Sequence, residues 1–215
     1  FTSLNSGVIV QPPVFSDFAQ TIKTTGRKII KNELICNDGK YTIDFEDLRI
    51  KAEDEKNTLL VLCNPHNPIG EVWNKTDLKK LIDICNENGV MIFSDEVHSD
   101  ILREDVDFHP LFSIEGSHNS IVGTSLSKTF NLTGLKLTNL IIKNNKIRKA
   151  LEDYTGHSSL SPFVLVATIT AFNKAEEWLN NVNKVIDSNF EFMKKYIDDF
   201  IPSLSFEIPK STYLV

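Results

Sequence analysis

Short apolar runs alternate along the chain with longer amphipathic stretches. Continuous apolar runs, typical of strands that a parallel sheet buries on both faces, occur at 7–10, 58–63, 90–93 and 120–124. Residues 28–34 and 137–142 also have strand character. Apolar residues recur at helical spacing in six other stretches, namely 14–24, 44–52, 76–89, 145–154, 162–173 and 175–200. The order strand, helix, strand predicts an α/β fold with a mostly parallel sheet between helices.

Turn and cap residues mark the ends of several predicted elements. Asp44 and Thr76 are predicted helix N-caps, and Gly26 and Gly89 are predicted helix ends. Two prolines and a glycine make 64–70 a rigid turn. We expect residues 1–173 to form a large domain, and residues 174–215 to form a connector helix and the start of a smaller domain. The chain starts at Phe1 and stops within an apparent strand at 211–215, so we expect it to be a piece of a longer polypeptide.

Composition and charge narrow the classes of function. With 215 residues, 41% hydrophobic and 24% charged, the chain can form one sizeable core. A net charge of -6 and the lack of a basic run argue against nucleic acid or an anionic membrane as partner. No apolar run reaches the roughly 20 residues that a bilayer-spanning helix needs. Cys36, Cys63 and Cys85 predict reduced core thiols in a cytoplasmic protein, with no metal site.

Polar residues that can do chemistry follow three of the predicted strands. Asn67 comes after one strand, Asp95 lies at the tip of the next, and Lys128 follows the third. In an open α/β sheet, ligands bind beyond the carboxyl ends of the strands. The sequence therefore predicts that these three side chains meet at one edge of the sheet and bind a small ligand.

Lys128 is the predicted reactive residue. A lysine amine becomes a nucleophile only where burial or a neighbouring cation lowers its pKa. Lys128 follows a buried strand, and the hydroxyls of Ser125 and Ser127 together with Lys136 can hold an anionic phosphate nearby. We interpret Lys128 as the lysine that forms a Schiff base with pyridoxal phosphate. An exposed lysine in a polar loop is the alternative.

Four further residues have a candidate role toward the same cofactor. Asp95 can stay ionised beside the pyridine nitrogen and keep it protonated, which makes the ring an electron sink. Asn67 and His98 can hydrogen-bond the 3-hydroxyl oxygen of the ring, and Phe15 offers a flat face for stacking. Each also has a purely structural alternative, as a turn cap, a turn former, a buried histidine and a core aromatic.

Three motifs, in this order, resemble the class I/II aminotransferase superfamily, the fold-type I pyridoxal phosphate enzymes. They are Asn-Pro-His-Asn-Pro-Ile-Gly at 64–70, Ser-Asp-Glu-Val-His at 94–98 and Ser-Leu-Ser-Lys at 125–128. The wider segments most resemble the cystathionine β-lyase branch, the MalY/PatB type; they are 12–15, 64–73, 95–100, 127–135 and 209–214. Together these segments span nearly the whole chain.

The resemblance implies a fold and a set of residue roles. It implies the large domain of an aspartate aminotransferase-like transferase, with Lys128 as the imine lysine, Asp95 beside the ring nitrogen and Asn67 on the 3-hydroxyl. The phosphate ligands that it implies are Ser125, Ser127 and Lys136. The sequence departs from the pattern twice: aminotransferases usually have arginine where Lys136 stands, and the lyase branch often has tyrosine where Phe15 stands. Lysine lacks the bidentate fork of arginine.

The resemblance also implies an activity. The expected reaction is β-elimination from cystathionine or an S-substituted cysteine, which releases a thiol, pyruvate and ammonia, in a homodimer with an amino-acid substrate. An aminotransferase and a pyridoxal phosphate-binding regulatory protein remain alternatives. A nicotinamide-dependent Rossmann enzyme is disfavoured, because no Gly-x-Gly-x-x-Gly follows a strand. The arginine that clamps the substrate carboxylate is expected after Val215.

Overall fold

The computed structural model describes residues 1–156 and 160–215. The strands are β1 (Gly7–Val10), β2 (Lys28–Lys31), β3 (Ile35–Asn37), β4 (Lys40–Thr42), β5 (Asn57–Cys63), β6 (Met91–Asp95), β7 (Ser120–Thr124) and β8 (Asn139–Ile141). The helices are α1 (Ser16–Thr24), α2 (Phe45–Ala52), α3 (Lys75–Glu87), α4 (Leu126–Thr129), α5 (Asn145–Thr155), α6 (Pro162–Lys174) and α7 (Glu176–Phe200).

Six strands form one sheet in the order β2-β1-β5-β6-β7-β8. All neighbours are parallel except the edge strand β8, which runs antiparallel to β7. The strands β3 and β4 form a separate antiparallel hairpin. The prediction of an α/β fold with a mostly parallel sheet is confirmed.

One face of the sheet carries the main core. Leu60 and Leu62 of β5 point to this face, where they pack in one buried cluster with α2 and α3. Leu78, Leu81 and Ile82 of α3 belong to the same cluster and are fully buried. The apolar residues of α3 recur at three- and four-residue spacing, so they share one side of the helix and are covered together.

The opposite face of the sheet is less completely covered. Val8 and Val61 pack there with Ile22 of α1 in a smaller cluster. Beside it, Phe93 of β6 and Tyr154 of α5 help to line an apolar cavity of about 680 Å³. In a parallel strand successive side chains point to opposite faces, so the continuous apolar run of β5 supplies both clusters.

Several predicted element ends are wrong by a few residues. The N-cap of α3 is Asn74, whose side chain accepts a hydrogen bond from the Asp77 amide, so Thr76 lies inside the first turn. Asp44 is confirmed as the N-cap of α2. The strand predicted at 28–34 ends at Lys31, because its neighbour β1 runs into Pro12-Pro13, where the backbone has no N–H to extend the ladder.

Two other expectations also differ from the structure. Residues 211–215 form no strand; Ser211 makes an isolated bridge to Leu102, and Thr212 then turns the chain with a φ of 66°. Cys36 is exposed on the β3–β4 hairpin, whereas Cys63 and Cys85 are buried thiols as predicted. None of the helices in the described ranges is long and apolar enough to cross a membrane.

Candidate active site

Three neighbouring strands end together at one edge of the sheet. In the register of the sheet, Asp95 lies beside Cys63 of β5 on one side and beside Gly123 of β7 on the other. Because the strands are parallel, the turn after β5 and the helix α4 after β7 start from the two sides of Asp95. The segments that carry Asn67 and Lys128 therefore flank Asp95.

The Asp95 carboxylate and Lys128 lie close enough for their charges to interact. Burial raises the pKa of the Asp95 carboxyl above its ordinary value, and the Val97 N–H and the Lys128 charge oppose that rise. The Val97 N–H donates to Asp95 Oδ1 at 3.2 Å. The end of β6 therefore holds a half-buried acid beside an amine, which suits the retention of a proton or a cationic ring nitrogen.

Lys128 lies on a helix of only four residues, α4. Ser125 is its N-cap, and the Ser125 hydroxyl accepts from the Ser127 N–H at 3.1 Å. The same hydroxyl donates to the Leu137 carbonyl at 2.6 Å. Ser125 therefore joins the start of α4 to the loop before β8. The proton of its hydroxyl is already used in the hydrogen bond to the Leu137 carbonyl.

The turn after β5 is tied to the Asp95 strand. The Asn64 N–H donates to the Asp95 carbonyl oxygen at 3.0 Å, and Asn64 Oδ1 accepts from the Trp73 N–H at 3.2 Å. The Asn67 N–H donates to the buried Cys63 sulfur at 3.4 Å. Burial, followed by the Asp95 charge, raises the pKa of the Cys63 thiol to about 12, so this sulfur stays protonated. Half-buried Asn67 is held at the end of β5 by these contacts.

His98 is buried close to Lys128. Burial, with a smaller effect of the Lys128 charge, lowers the pKa of His98 to about 4, so the ring is neutral near pH 7. Its Nδ1 has no hydrogen-bond partner in the described part of the chain. The ring meets Tyr213 edge-on, with 5.8 Å between the ring centroids. A neutral imidazole with a free nitrogen can exchange a hydrogen bond with a ligand.

The other predicted site residues are more exposed. Phe15 lies just before α1 with 39% of its surface exposed, and its ring meets Phe18 edge-on at 5.6 Å. Ser127 is half-buried on α4. Lys136 is exposed and has a left-handed backbone, with a φ of 50°. The structure thus groups Asp95, His98 and Lys128 by burial and charge, whereas Phe15 and Lys136 are exposed.

A C-terminal segment, 209–213, closes over this edge. The Ser211 hydroxyl donates to the Gly70 carbonyl at 3.1 Å, and Lys210 pairs with Glu71. The Thr212 N–H donates to the Ile101 carbonyl at 2.9 Å. The segment therefore bridges the turn after β5 and the loop after β6.

Sequence reasoning missed two polar groups at this edge. Glu96 is 3% exposed, and its Oε1 accepts from the Ser94 hydroxyl at 3.0 Å and from the Leu111 N–H at 2.8 Å. Burial raises the pKa of Glu96 to about 7. Thr129, next to Lys128, donates to Asp100 Oδ2 at 2.7 Å. Asp100 could have been singled out from the sequence because it belongs to the Asp95–Asp100 motif. That motif does not indicate that Thr129 is its hydrogen-bond partner.

The chain belongs to the aminotransferase class I and II family, whose profile matches residues 1–215. The predicted resemblance to this family is confirmed.

Its relatives include carbon–sulfur lyases. The chain is 36% identical to the cystathionine β-lyase PatB of Bacillus subtilis (strain 168), over 100% of this chain and 57% of that protein. The structure of cystalysin from Treponema denticola, which contains a pyridoxal 5'-phosphate cofactor, matches with a TM-score of 0.95 and 35% identity. That match covers 99% of this chain and 55% of cystalysin.

A second solved structure of a carbon–sulfur lyase is also similar to this chain. The pyridoxal phosphate-bound C-S lyase of Staphylococcus hominis matches with a TM-score of 0.92 and 32% identity, over 98% of this chain and 55% of that one. The chain thus spans a little over half the length of the relatives that it matches.

Proposed function

We propose that this chain is the cofactor-binding part of a pyridoxal phosphate-dependent carbon–sulfur β-lyase. The observation that carries the proposal is the buried group at the end of β6 and the start of α4, where Asp95 and neutral His98 lie within the electrostatic reach of Lys128. Similarity to PatB and to the C-S lyase of Staphylococcus hominis supports the choice of reaction. The substrate class is cystathionine or another S-substituted cysteine.

The residues fit the cofactor in charge and in hydrogen bonding. Lys128 supplies an amine for the aldehyde carbon, and Asp95 supplies an anion for the ring nitrogen. The buried His98 Nδ1, which lacks a partner in residues 1–156 and 160–215, and the amide of Asn67 are suited to the 3-hydroxyl oxygen. Pyridoxal phosphate, when bound, supplies an electron sink at the substrate α-carbon.

The chain's own residues then account for binding and proton transfer. Asp95 holds a proton on the ring nitrogen because a carboxylate beside a cation stabilises the protonated form. Lys128 Nζ takes the α-proton of the substrate as general base. Neutral His98 donates or accepts a hydrogen bond without adding charge. The overall reaction consumes the S-substituted cysteine and one water, and releases a thiol, pyruvate and ammonia.

We assign the phosphate to Ser127, Lys136 and Ser125. Ser127 is half-buried and Lys136 is exposed, and an ammonium binds phosphate as a point charge. Ser125 must exchange its hydrogen bond to the Leu137 carbonyl for a phosphate oxygen in order to take part. Phe15 remains the proposed stacking partner of the ring.

An aminotransferase is the second candidate. It is favoured by the family itself and by the pyridoxal phosphate-bound putative aminotransferase of Clostridium difficile 630, which matches with a TM-score of 0.94 and 38% identity. Both reactions need the α-proton to be removed by Lys128, and they differ in where the proton is returned. The residues of this chain serve either outcome.

A substrate assay on the full-length protein tests the proposal. Purified protein loaded with pyridoxal phosphate is given cystathionine, with and without a keto acid, and pyruvate, thiol and new amino acid are measured. Pyruvate and thiol without a keto acid are expected. Product only with a keto acid would instead favour the aminotransferase, and bound cofactor with neither product would favour a regulatory protein.

The lysine variant gives the residue-level test. Lys128→Ala is expected to lower kcat by at least about 10³-fold, because it removes both the covalent link and the general base. Lys184→Ala changes an exposed lysine of α7 and is the matched control, with wild-type turnover expected. Near wild-type turnover in Lys128→Ala would contradict the proposed role.

We further propose a cytoplasmic homodimer. The buried free thiols Cys63 and Cys85 suit a reducing compartment. The resemblance to fold-type I enzymes supports a dimer with active sites at the subunit interface. Sedimentation equilibrium of the full-length protein is expected to give twice the monomer mass.

A further inference from the structure

The helix that carries Lys128 is too short to hold its own position. An isolated helix needs roughly 12–15 residues to be stable in water, and α4 has four. Its place must therefore be fixed by contacts from outside. Ser125 anchors its first turn, as described above. At its other end the Thr129 side chain, which is buried, donates to Asp100 Oδ2 at 2.7 Å.

Asp100 belongs to the loop that follows Asp95, whose carboxylate interacts with the Lys128 charge. The loop leaves β6 at Asp95 and folds into two successive turns, in which the Ser99 N–H donates to the Glu96 carbonyl and the Ile101 N–H to the His98 carbonyl. These bonds, of 3.1 and 3.0 Å, make the path from Asp95 to Asp100 rigid. One short stretch therefore carries both Asp95 and Asp100, the residue that accepts the hydrogen bond from Thr129 of α4.

The long helix α7 holds the loop from the other side. Asn183 Nδ2 donates to the Asp100 carbonyl at 3.1 Å. Arg103 Nε lies 2.8 Å from Asp187 Oδ1, one turn further along α7. These two atoms are close enough to form an ion pair, but the Arg103 N–H is not aligned for a hydrogen bond with the Asp187 carboxylate. The backbone of Asp100 is thus fixed at the same point where its side chain holds Thr129.

We propose that Asp100 is a positioning residue for Lys128. The Asp100–Thr129 hydrogen bond sets the distance between the Asp95 carboxylate and the Lys128 amine. It does so because it joins the loop after Asp95 to α4, the helix that carries Lys128. The inference deepens the proposed function, because it concerns the amine assigned there to catalysis. Asp100 itself is on the exposed side of this contact and touches none of the reacting atoms.

Four variants separate the hydrogen bond from the charge. Asp100→Ala removes the acceptor and Thr129→Val removes the donor. Asp100→Asn removes the charge but keeps an acceptor oxygen, and Thr129→Ser keeps the hydroxyl. Asp105→Ala removes a neighbouring exposed carboxylate from the same loop and is the matched control.

The first readout does not need the cofactor. Full-length protein without cofactor is labelled with acetic anhydride, and peptide mass spectrometry gives the labelling rate of Lys128 relative to exposed Lys23. Asp100→Ala and Thr129→Val are expected to raise the relative rate about threefold to tenfold, because a hydrogen bond contributes about 0.5–1.5 kcal/mol net to holding the helix. Asp100→Asn, Thr129→Ser and Asp105→Ala are expected to keep the wild-type rate.

The second readout uses protein loaded with pyridoxal phosphate. The pH at which the visible absorbance of the bound cofactor titrates is expected to shift by about half a unit or more in Asp100→Ala and Thr129→Val. The double variant is expected to shift no further than either single one, because both remove the same bond. Asp100→Asn and Thr129→Ser are expected to restore the wild-type value.

Two results would overturn the inference. One is equal Lys128 labelling in Asp100→Ala and Asp105→Ala. The other is Asp100→Asn behaving as Asp100→Ala, which would assign the effect to charge instead of position. Failure of the wild-type protein to load cofactor would count against the proposed function alone, because the labelling rates still report on the Asp100–Thr129 contact.

Discussion

The sheet with α2 and α3 and the helical region from α5 to α7 differ sharply in how they bury apolar side chains. Leu78, Leu81 and Ile82 of α3 are fully inaccessible to solvent. In α6, a mostly apolar helix, only Ala171 is buried, and Phe163 is 86% exposed. Apolar content alone therefore does not decide burial, because the more apolar helix, α6, is the open one and the more polar helix, α3, is packed. The turn after β5 lies on the packed side, because Ile69 packs against the main core.

Paired leucine truncations give the largest expected contrast between the two regions. Leu81→Ala in α3 is expected to lower the free energy of unfolding by about 2–5 kcal/mol, because it leaves a cavity in a closed core. Leu165→Ala in α6, where the side chain is 43% exposed, is expected to change it by less than about 0.5 kcal/mol. Urea titrations of the full-length protein measure both. An equal loss would mean that α6 is covered in solution.

A pair of glycine variants tests how tightly the packed side is closed. A Cβ on Gly70 would lie 2.3 Å from Pro209 Cβ, whereas one on Gly89 would meet nothing within 4 Å. Both glycines have a similar positive φ, so Gly89→Ala measures the backbone strain alone.

Gly70→Ala is expected to cost about 1–3 kcal/mol more than Gly89→Ala, because the segment 209–213 must move. Urea titration of the two variants measures the difference. If the costs were equal, the contact between the turn and that segment would be loose in solution.

The buried carboxyl of Glu96 predicts a pH-dependent stability of the packed side. Its pKa is raised from 4.5 to about 7 in the folded protein, so the folded state holds a proton that the unfolded state has lost. This contribution to stability is present below pH 4.5 and is lost as the pH rises toward 7.

Glu96→Gln removes this titration and keeps the Oε1 acceptor for Ser94 and Leu111. Relative to wild type, the variant is expected to gain about 2–3 kcal/mol of unfolding free energy between pH 5 and pH 8. Urea titrations at the two pH values measure this gain. A constant difference at both would show that Glu96 is ionised throughout.

The smallest expected effect concerns one of the contacts that join the two regions. Asp187→Asn weakens the ion pair between α7 and Arg103, whose guanidinium also packs over the Phe190 ring at 5.1 Å. A loss of about 1 kcal/mol and faster amide exchange in α7 are expected.

Asp198→Asn is the control for this pair, since Asp198 pairs within α7 itself, with Lys194 at 3.4 Å. Its effect is expected to stay within about 0.5 kcal/mol. Hydrogen exchange with mass spectrometry measures both variants. Matching exchange rates would mean that Arg103 does not anchor the helix.

The parts of the fold that could be predicted from the sequence are those with strong local signals. The apolar run of β6 ends at Asp95, and that placement followed from the pattern alone. The cap of α3 was assigned to Thr76 in place of Asn74, because both residues favour cap positions and only the Asp77 contact decides between them. The β3–β4 hairpin was missed because strands of three residues carry too little periodicity.

The candidate site likewise has features that the sequence predicts and contacts that it does not. That the segments carrying Asn67 and Lys128 flank Asp95 followed from strand order, because parallel strands bring their carboxyl ends to one edge. The Asp100–Thr129 bond joins residues 29 positions apart, and no periodicity links them. Contacts of this kind depend on the tertiary path of the loop after β6, which the local pattern does not determine.

The contact of Ser211 with Gly70 has a consequence for the folding of the protein during its synthesis on the ribosome. The two residues are 141 positions apart, so the turn stays uncovered until residue 211 has been synthesised. The strands of the sheet can pair as they emerge, whereas the closing segment 209–213 is synthesised after all of them. We therefore expect nascent chains that stop before residue 209 to leave this edge accessible to chaperones, and the site to mature after the sheet has formed.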